Sequence, residues 1–278
     1  MRIDAHQHYW KIDRGDYDWM SAPAVASIRR DFLPVDLAPE LARHGIERSV
    51  VVQAAATSAE TDYLLGLAAD EPTIAGVVGW LDVEAPDFPD VLAGYVERRG
   101  FLGIRPMLQD LSDDRFLLRP RVLEHLAELA RSQRTLDLLV LPRHLPIVVE
   151  ALTRVPELRA VVDHCAKPDL RSGSLDDWRS GIARVAEFPN VVCKVSGLVT
   201  EAPPGTRAAD VAPAVEHVLS VFGPDRLLFG SDWPVCTLAA PYERVVTLLD
   251  EVLGARLTDA FERKLFGENA ERFYGLGS

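Results

Sequence analysis

Eight short apolar segments, rich in β-branched residues, recur along this chain of 278 residues, and their regular spacing limits the folds it can adopt. Their starts are about 32 residues apart on average, which is the length of one strand, one helix and their connections. The predicted strands are 2–6, 49–53, 74–80, 101–106, 135–141, 159–164, 190–196 and 226–232. Stretches with helical periodicity lie between them, so the chain is predicted to be an α/β protein.

The segments between the predicted strands have helical periodicity. A glycine after some of them marks the predicted end of the helix. The predicted helices cover 37–43, 58–70, 122–132, 175–185 and 212–222. Because no linker rich in Pro, Ser or Gly divides the chain, we expect one continuous domain over residues 1–278. Eight strand and helix units suit either a (β/α)8 TIM barrel or a doubly wound open sheet.

The residues after the first predicted strand decide between these two folds. A doubly wound dinucleotide-binding sheet begins with a glycine-rich turn at this point, whereas this chain has HQHYW. Polar or aromatic residues also end nearly every predicted strand, as they do at the active-site rim of a barrel. The sequence therefore favours the (β/α)8 barrel. We expect the aperiodic segment 11–34 to be a long loop folded over that rim.

Composition excludes several classes of partner. The formal net charge of −12 has the wrong sign for binding nucleic acid or an anionic membrane surface. No window approaches the ~20 apolar residues of a membrane helix, and MRIDAHQHYW lacks the basic and apolar regions of a signal peptide, so neither segment is expected. The three cysteines are too few for a disulfide framework, so we expect a soluble cytoplasmic protein with reduced thiols. Both a monomer and a homo-oligomer are compatible with the composition.

The first predicted strand ends with a pair of histidines. Residues two apart in a strand share a face, so His6 and His8 are expected to project together, with Asp4 deeper on the same face. Two such imidazoles can hold a divalent metal or polarise a carbonyl group, or they can satisfy local hydrogen bonds. The motif by itself leaves these alternatives open.

Two further strands deliver a polar side chain to the same rim. The eighth predicted strand ends with Asp232, which barrel closure would place beside the first strand. The sixth ends with His164. An isolated histidine of this kind is usually packed, and an aspartate before Trp-Pro can simply form a turn. The coincidence of three polar strand ends favours a catalytic site.

Five segments of the chain resemble a known family. They are IDAHQHYW, GIRPMLQD, VVDHCAKP, NVVCKVSGLVTEA and LLFGSDWPVC. Their order along the chain and the distances between them also match those in the family. They resemble the amidohydrolase superfamily, within it the amidohydrolase-2 group, and most specifically the sugar-lactonase branch that includes L-fuconolactone and L-rhamnonolactone hydrolases. The resemblance implies an amidohydrolase-like barrel. It also implies a hydrolase that opens an aldono-1,4- or 1,5-lactone in carbohydrate catabolism.

Two departures from the wider superfamily bear on metal binding. Binuclear members carry a carboxylated lysine at the end of strand four, where this chain has Arg105. Strand five lacks the usual ligating histidine, since His144 comes only after Pro142 has ended the strand. A bridged two-metal site is therefore not expected.

The remaining ligand set suits at most one divalent ion. The resemblance assigns His6, His8 and Asp232 to it, with His164 as a fourth candidate. Three nitrogen and oxygen ligands with an open position suit a hydrolytic zinc. Relatives in the lactonase branch also work without metal, so a zinc-dependent and a metal-independent site both stay open.

Hydrolysis of a cyclic ester requires three things: a base that deprotonates water, stabilisation of the negative charge on the carbonyl oxygen, and a proton for the leaving oxygen. The candidate residues can meet these requirements. We expect Asp232 to be the base and His6 and His8, directly or through a metal, to polarise the carbonyl. His164 is expected to hydrogen-bond the substrate or to protonate the leaving oxygen. Further substrate contacts are predicted for Gln53, Trp80, Arg105, Lys194 and Trp233.

Two other functions are weighed against lactone hydrolysis. One is a metal-dependent decarboxylase of an aromatic or muconate-type acid in the same superfamily. Such an enzyme would need a complete set of metal ligands, including the strand-five histidine that this chain lacks. The other is a catalytically silent barrel that only binds a ligand, for which the polar strand ends would be dispensable.

Overall fold

The computed structural model describes residues 1–277, and eight strands form its centre. The strands are β1 (Ile3–Gln7), β2 (Arg48–Val52), β3 (Ile74–Gly79), β4 (Phe101–Ile104), β5 (Thr135–Leu138), β6 (Ala160–Val162), β7 (Val191–Val195) and β8 (Leu227–Phe229). Each strand begins within one residue of the predicted start. Most end earlier than predicted, because the polar residues at their C-terminal ends belong to the loops that follow.

The strands are parallel and pair in chain order from β1 to β8. Contacts just beyond the last residues of β8 close the sheet onto β1. The amide of His8 donates to the carbonyl of Trp233 at 2.7 Å, and the amide of Asp232 donates to the carbonyl of His6 at 2.8 Å. The (β/α)8 barrel is therefore confirmed, and closure brings the first and eighth strand ends together.

Helices cover the outside of the barrel. They are α1 (Pro34–Arg43), α2 (Ser58–Asp70), α3 (Phe88–Val96), α4 (Pro120–Arg131), α5 (Leu145–Arg154), α6 (Asp176–Ala186), α7 (Leu198–Glu201), α8 (Ala208–Phe222), α9 (Tyr242–Leu253), α10 (Asp259–Arg263) and α11 (Asn269–Tyr274). Helix α2 has the predicted bounds, and the Thr57 side chain caps it by accepting from the amide of Glu60. Among residues 1–277, no helix combines the length and apolar character that a membrane span requires.

The lower half of the barrel interior is apolar. Residues including Ile3, Val50 and Val161 point into it and pack against Phe273 of α11. Helix α11 thus covers the N-terminal end of the barrel, so the polar residues higher in the interior are approached from the C-terminal end.

An irregularity in β1 separates Asp4 from the two histidines. The register between β1 and β2 shifts between Asp4 and Gln7. Below the shift, Ile3 and Ala5 face the barrel interior, while the Asp4 carboxylate accepts from the hydroxyl of Tyr242 in α9 at 3.0 Å. The prediction that Asp4 shares the inner face with the histidines is therefore wrong, because the extra residue of a bulge changes the face of every side chain before it.

The long loop after β1 forms three short 3-10 helices and folds over the rim, as predicted. The backbones of Trp10 and Phe32 pair at its base, with N–H to O distances of 3.0 Å in both directions. The indole N–H of Trp19 donates to the carbonyl of Ala54 in the loop after β2, at 2.9 Å. This contact fixes the loop above the C-terminal ends of the strands.

Candidate active site

A cavity of about 240 Å³ opens at the C-terminal end of the barrel. It is lined by His8, Trp19, Ala54, Arg105, Met107, Gln109, Asp110, Leu139, His164, Lys167, Asp232 and Val235. The lining combines ionisable groups with apolar and aromatic surface, as in many small-molecule sites. The first loop and the ends of β1, β4, β6 and β8 all contribute to it.

Three imidazoles converge on the carboxylate of Asp232. Its Oδ1 atom lies 3.2 Å from Nε2 of His8, 3.7 Å from Nε2 of His6 and 3.9 Å from Nε2 of His164. All four side chains are buried. The structure therefore brings together the four residues that the sequence predicts as catalytic.

The electrostatics of Asp232 favour its ionised form. Burial by itself would raise the pKa of this carboxyl, but the imidazoles of His164, His8 and His6 outweigh burial and hold it well below its ordinary 3.8. Asp232 has a left-handed backbone conformation with φ of 59°. Its amide is tied to the carbonyl of His6, so the position of the carboxylate is linked to strand β1.

Buried neighbours orient the rings of His6 and His8. Nδ1 of His8 lies 2.7 Å from the carbonyl of Val52, which only accepts, so this nitrogen carries the proton. Burial lowers the pKa of His6 well below its ordinary 6.5, and Nδ1 of this ring lies 3.2 Å from Nζ of Lys194 and 3.3 Å from Oδ1 of Asp163. Nε2 of each ring is directed towards Oδ1 of Asp232.

This donor arrangement fits a cation. Nε2 of His8 and Oδ1 of Asp232 face each other across 3.2 Å. One ligand atom from each of His6, His8 and Asp232 lies within 4.8 Å of the others. Two imidazoles and a carboxylate are ligands that zinc accepts. The set predicted as a metal site from the sequence is thus assembled.

His164 lies in an unusual turn after β6. Four consecutive residues that carry a Cβ, from His164 to Lys167, have φ between 50° and 58°. Such left-handed conformations cost roughly 1 to 2 kcal/mol for each residue, so surrounding contacts have to hold them. Nδ1 of His164 lies 2.9 Å from Oγ of Ser196, and burial lowers the pKa of the ring to about 4.

Arg105 lies at the end of β4, at the wall of the cavity, and is 3% exposed. Its guanidinium contacts His6 Nε2 and Asp163 Oδ2, each at 3.4 Å, and donates to the carbonyl of Gln53. Most of its donors therefore point into the protein. Substrate contact by Arg105 stays a prediction, limited by this geometry to the donors on the cavity side.

Lys194, for which the sequence predicts a substrate contact, lies below the cavity and not in its lining. Its Nζ atom is 2.5 Å from Asp137 Oδ2, 3.1 Å from Asp163 Oδ1 and 3.2 Å from His6 Nδ1. Burial opposes ionisation of Asp163, but Lys194 and His6 outweigh it and hold the Asp163 pKa well below its ordinary 3.8. Lys194 therefore supports the residues that orient His6.

Sequence reasoning missed Asp137 and Asp163, the two carboxylates of this cluster. A signal was present, since Asp137 interrupts the apolar run of β5 and Lys194 that of β7. Charged residues in two strands that are otherwise apolar require partners when both are buried. Which residues pair depends on inward orientation and register, which the sequence pattern does not define.

Three other predicted contact residues lie outside the cavity lining. Gln53 is buried, and its side-chain amide donates to the carbonyl of Arg105 at 2.7 Å. Trp80 is partly buried, and its backbone N–H donates to Oγ1 of Thr61 at 2.8 Å. The Trp233 ring packs edge-on against Phe32, with centroids 5.1 Å apart. Their predicted roles in binding remain predictions.

Comparison with known proteins matches the chain to a family. The amidohydrolase family model matches residues 3–276. An L-fucono-1,5-lactonase of Burkholderia ambifaria is 41% identical over an alignment covering 99% of this chain and 96% of the relative. An L-fucono-1,5-lactonase of Burkholderia multivorans is 40% identical with the same coverage. A crystal structure of an amidohydrolase from Burkholderia multivorans with bound zinc has a TM-score of 0.95 and 39% identity, covering 100% of both chains.

Proposed function

The chain belongs to the amidohydrolase family, and on this premise we propose that it is an enzyme that hydrolyses a sugar lactone to the aldonic acid. The observation that carries the proposal is the ionised Asp232 among three imidazoles at the wall of a cavity. Two L-fucono-1,5-lactonases at 41% and 40% identity over nearly the whole chain support this reaction. L-fucono-1,5-lactone is accordingly the first substrate to test.

Asp232 is proposed to activate the attacking water. A carboxylate at its position accepts a proton from water as the water oxygen bonds to the carbonyl carbon of the lactone. Its low pKa keeps it ionised at neutral pH, although it also makes Asp232 a weak base. A weak base is sufficient for a lactone because the ester carbonyl is already electrophilic.

His6 and His8 are proposed to hold one zinc ion together with Asp232. When bound, zinc would supply positive charge that stabilises oxygen anions and acidifies water. The neighbouring contacts orient the ligands, since the Val52 carbonyl accepts from Nδ1 of His8, and Asp163 and Lys194 lie against Nδ1 of His6. Zinc content by elemental analysis tests this assignment. About one equivalent is expected in the native protein, with a marked loss in His8→Ala.

His164 is proposed to complete the reaction at the leaving oxygen. After the ring C–O bond breaks, that oxygen must gain a proton, and the carboxylic acid product loses one to solvent at neutral pH. The hydroxyl of Ser196 can donate to Nδ1 of His164, which leaves an N–H at Nε2 facing the cavity. His164 then donates a hydrogen bond to the departing oxygen, and Asp232 passes to that oxygen the proton that it took from water, which regenerates the carboxylate.

The cellular setting follows from the thiols and the reaction. The three cysteines at 165, 193 and 236 are buried and unbridged, which suits a reducing cytoplasm. We therefore propose a cytoplasmic enzyme of carbohydrate catabolism. The decarboxylase alternative gains no support, since β5 (Thr135–Leu138) carries no histidine and that function expects a ligating histidine on this strand.

Assays of a panel of aldono-1,4- and 1,5-lactones, following acid release, test the proposed reaction. L-fucono-1,5-lactone is expected to be turned over, and Asp232→Asn is expected to lower kcat by at least about 10³-fold with an unchanged circular dichroism spectrum. Ser132→Ala, which alters a helix end outside the cavity, is a matched control that should keep full activity. Absence of turnover on every lactone would refute the proposal, and a silent binding barrel would then be favoured.

A further inference from the structure

The left-handed turn after β6 directs two side chains into the cavity. His164 and Lys167 are three residues apart, at the two ends of the turn, and both line the cavity. The indole N–H of Trp178 donates to the carbonyl of Cys165 at 2.7 Å, and the amide of Lys167 donates to the carbonyl of His164 at 2.8 Å. A strained conformation held by such contacts at a reaction cavity points to a functional purpose. His164 already has one, whereas Lys167 does not.

The ammonium group of Lys167 has unused hydrogen-bond donors. Among residues 1–277, no acceptor lies within hydrogen-bond distance of its Nζ atom, and the nearest carboxylate, that of Glu201, is 3.9 Å away. The side chain is 22% exposed. Arg105, the other cation in the lining, directs its donors to Gln53, Asp163 and His6. Lys167 is therefore the positive charge in the cavity that remains available to a ligand.

A second cavity, of about 510 Å³, adjoins the first and shares Lys167 with it. Arg143 and Arg171 also line this neighbouring cavity, but their side chains are engaged with Asp114 and with the carbonyls of Thr200 and Ala202. Lys167 thus stands at the junction of the reaction cavity and an open path along the rim.

We propose that Lys167 binds the carboxylate of the aldonate product, an inference that rests on the proposed lactone hydrolysis. Hydrolysis converts an uncharged ring into an anion with two acceptor oxygens, so an ammonium group distinguishes product from substrate by charge. The net charge of −12 otherwise disfavours an anionic ligand. Lys167 offsets this repulsion locally, and its place at the junction with the second cavity suits a carboxylate leaving the reaction site.

The test compares ligands that differ in charge. Isothermal titration measures Kd for a panel of aldonates and for the matching uncharged alditols, and steady-state kinetics give the lactone KM and the aldonate inhibition constant. The variants are Lys167→Met, Lys167→Arg and, as a control, Arg143→Met, which removes a cation that lines only the second cavity. Thermal melting establishes that each variant is folded.

Lys167→Met is expected to weaken aldonate binding about tenfold or more, as for loss of a charge-assisted hydrogen bond, and to weaken alditol binding much less. Lys167→Arg should restore most of the aldonate affinity, and Arg143→Met should leave it unchanged. Equal losses for aldonate and alditol, or no loss for either, would overturn the inference, as would a native protein that binds no aldonate. Failure of the proposed function is separate, because it appears as absence of lactone turnover in the native protein.

Discussion

Replacement of Gly230 by alanine tests whether the contact between the first and eighth strands positions the catalytic residues. Gly230 follows β8 and precedes Asp232 by two residues. A Cβ atom at this position would lie 2.6 Å from the Cβ of His6 and 3.1 Å from that of Ser196. Carbon atoms in contact are normally about 3.5 to 4.0 Å apart, so the shortfall at His6 is about 1 Å.

The backbone has to absorb this shortfall. Both crowded atoms are Cβ atoms, which side-chain rotation does not move, so β1 and the segment after β8 must separate. That movement strains the hydrogen bond from the Asp232 amide to the His6 carbonyl, now 2.8 Å long. Overpacking of this kind costs about 1 to 3 kcal/mol, and a displacement of about 1 Å between catalytic groups lowers the rate about 10²-fold.

The assay measures kcat/KM on the lactone together with Tm. Gly230→Ala is expected to lower kcat/KM by about 10²-fold and Tm by several degrees. Gly66→Ala makes the same chemical change in α2, where an added Cβ meets nothing within 4 Å, and should instead stabilise the fold by about 0.5 to 1 kcal/mol. If Gly230→Ala kept native activity and stability, the link between strand spacing and catalytic geometry would be refuted.

Three further predictions concern residues around the cavity. Ser196→Ala removes the partner of His164 Nδ1 and should lower kcat by up to about tenfold without changing zinc content, as steady-state kinetics and elemental analysis would record. Lys194→Met removes the ammonium partner of two buried carboxylates, Asp137 and Asp163, and should destabilise the fold by about 3 to 5 kcal/mol in urea unfolding, whereas the double variant Lys194→Met/Asp137→Leu should recover part of that loss. An unchanged midpoint for the single variant would contradict this reading. Burial raises the pKa of Glu60 from its ordinary 4.5 to about 7, so the folded state binds more protons than the unfolded state in this window and its stability falls as pH rises through it. The Tm of the native protein relative to Glu60→Gln should therefore decrease between pH 5 and pH 7, and a constant difference would argue against a buried proton at Glu60.

The sequence by itself determined the barrel and identified the four residues that are proposed to be catalytic. Apolar strands at regular intervals define the number of βα units, because each strand must be buried on both faces. His6, His8, His164 and Asp232 could be identified because they come at strand ends, which meet at one rim in a parallel barrel. The position of a polar residue at the end of an apolar segment is a local feature, so it can be identified without knowing which strands are neighbours.

Only the tertiary structure decided how the side chains are partnered. A bulge in β1 turned Asp4 away from the histidines, and the register of β5 and β7 paired Lys194 with Asp137 beneath the cavity. The left-handed turn that brings Lys167 into the cavity also has no signature in hydrophobic periodicity. The physical reason is that pairing and orientation depend on register and backbone strain between distant segments, whereas the sequence pattern reports burial along one segment at a time.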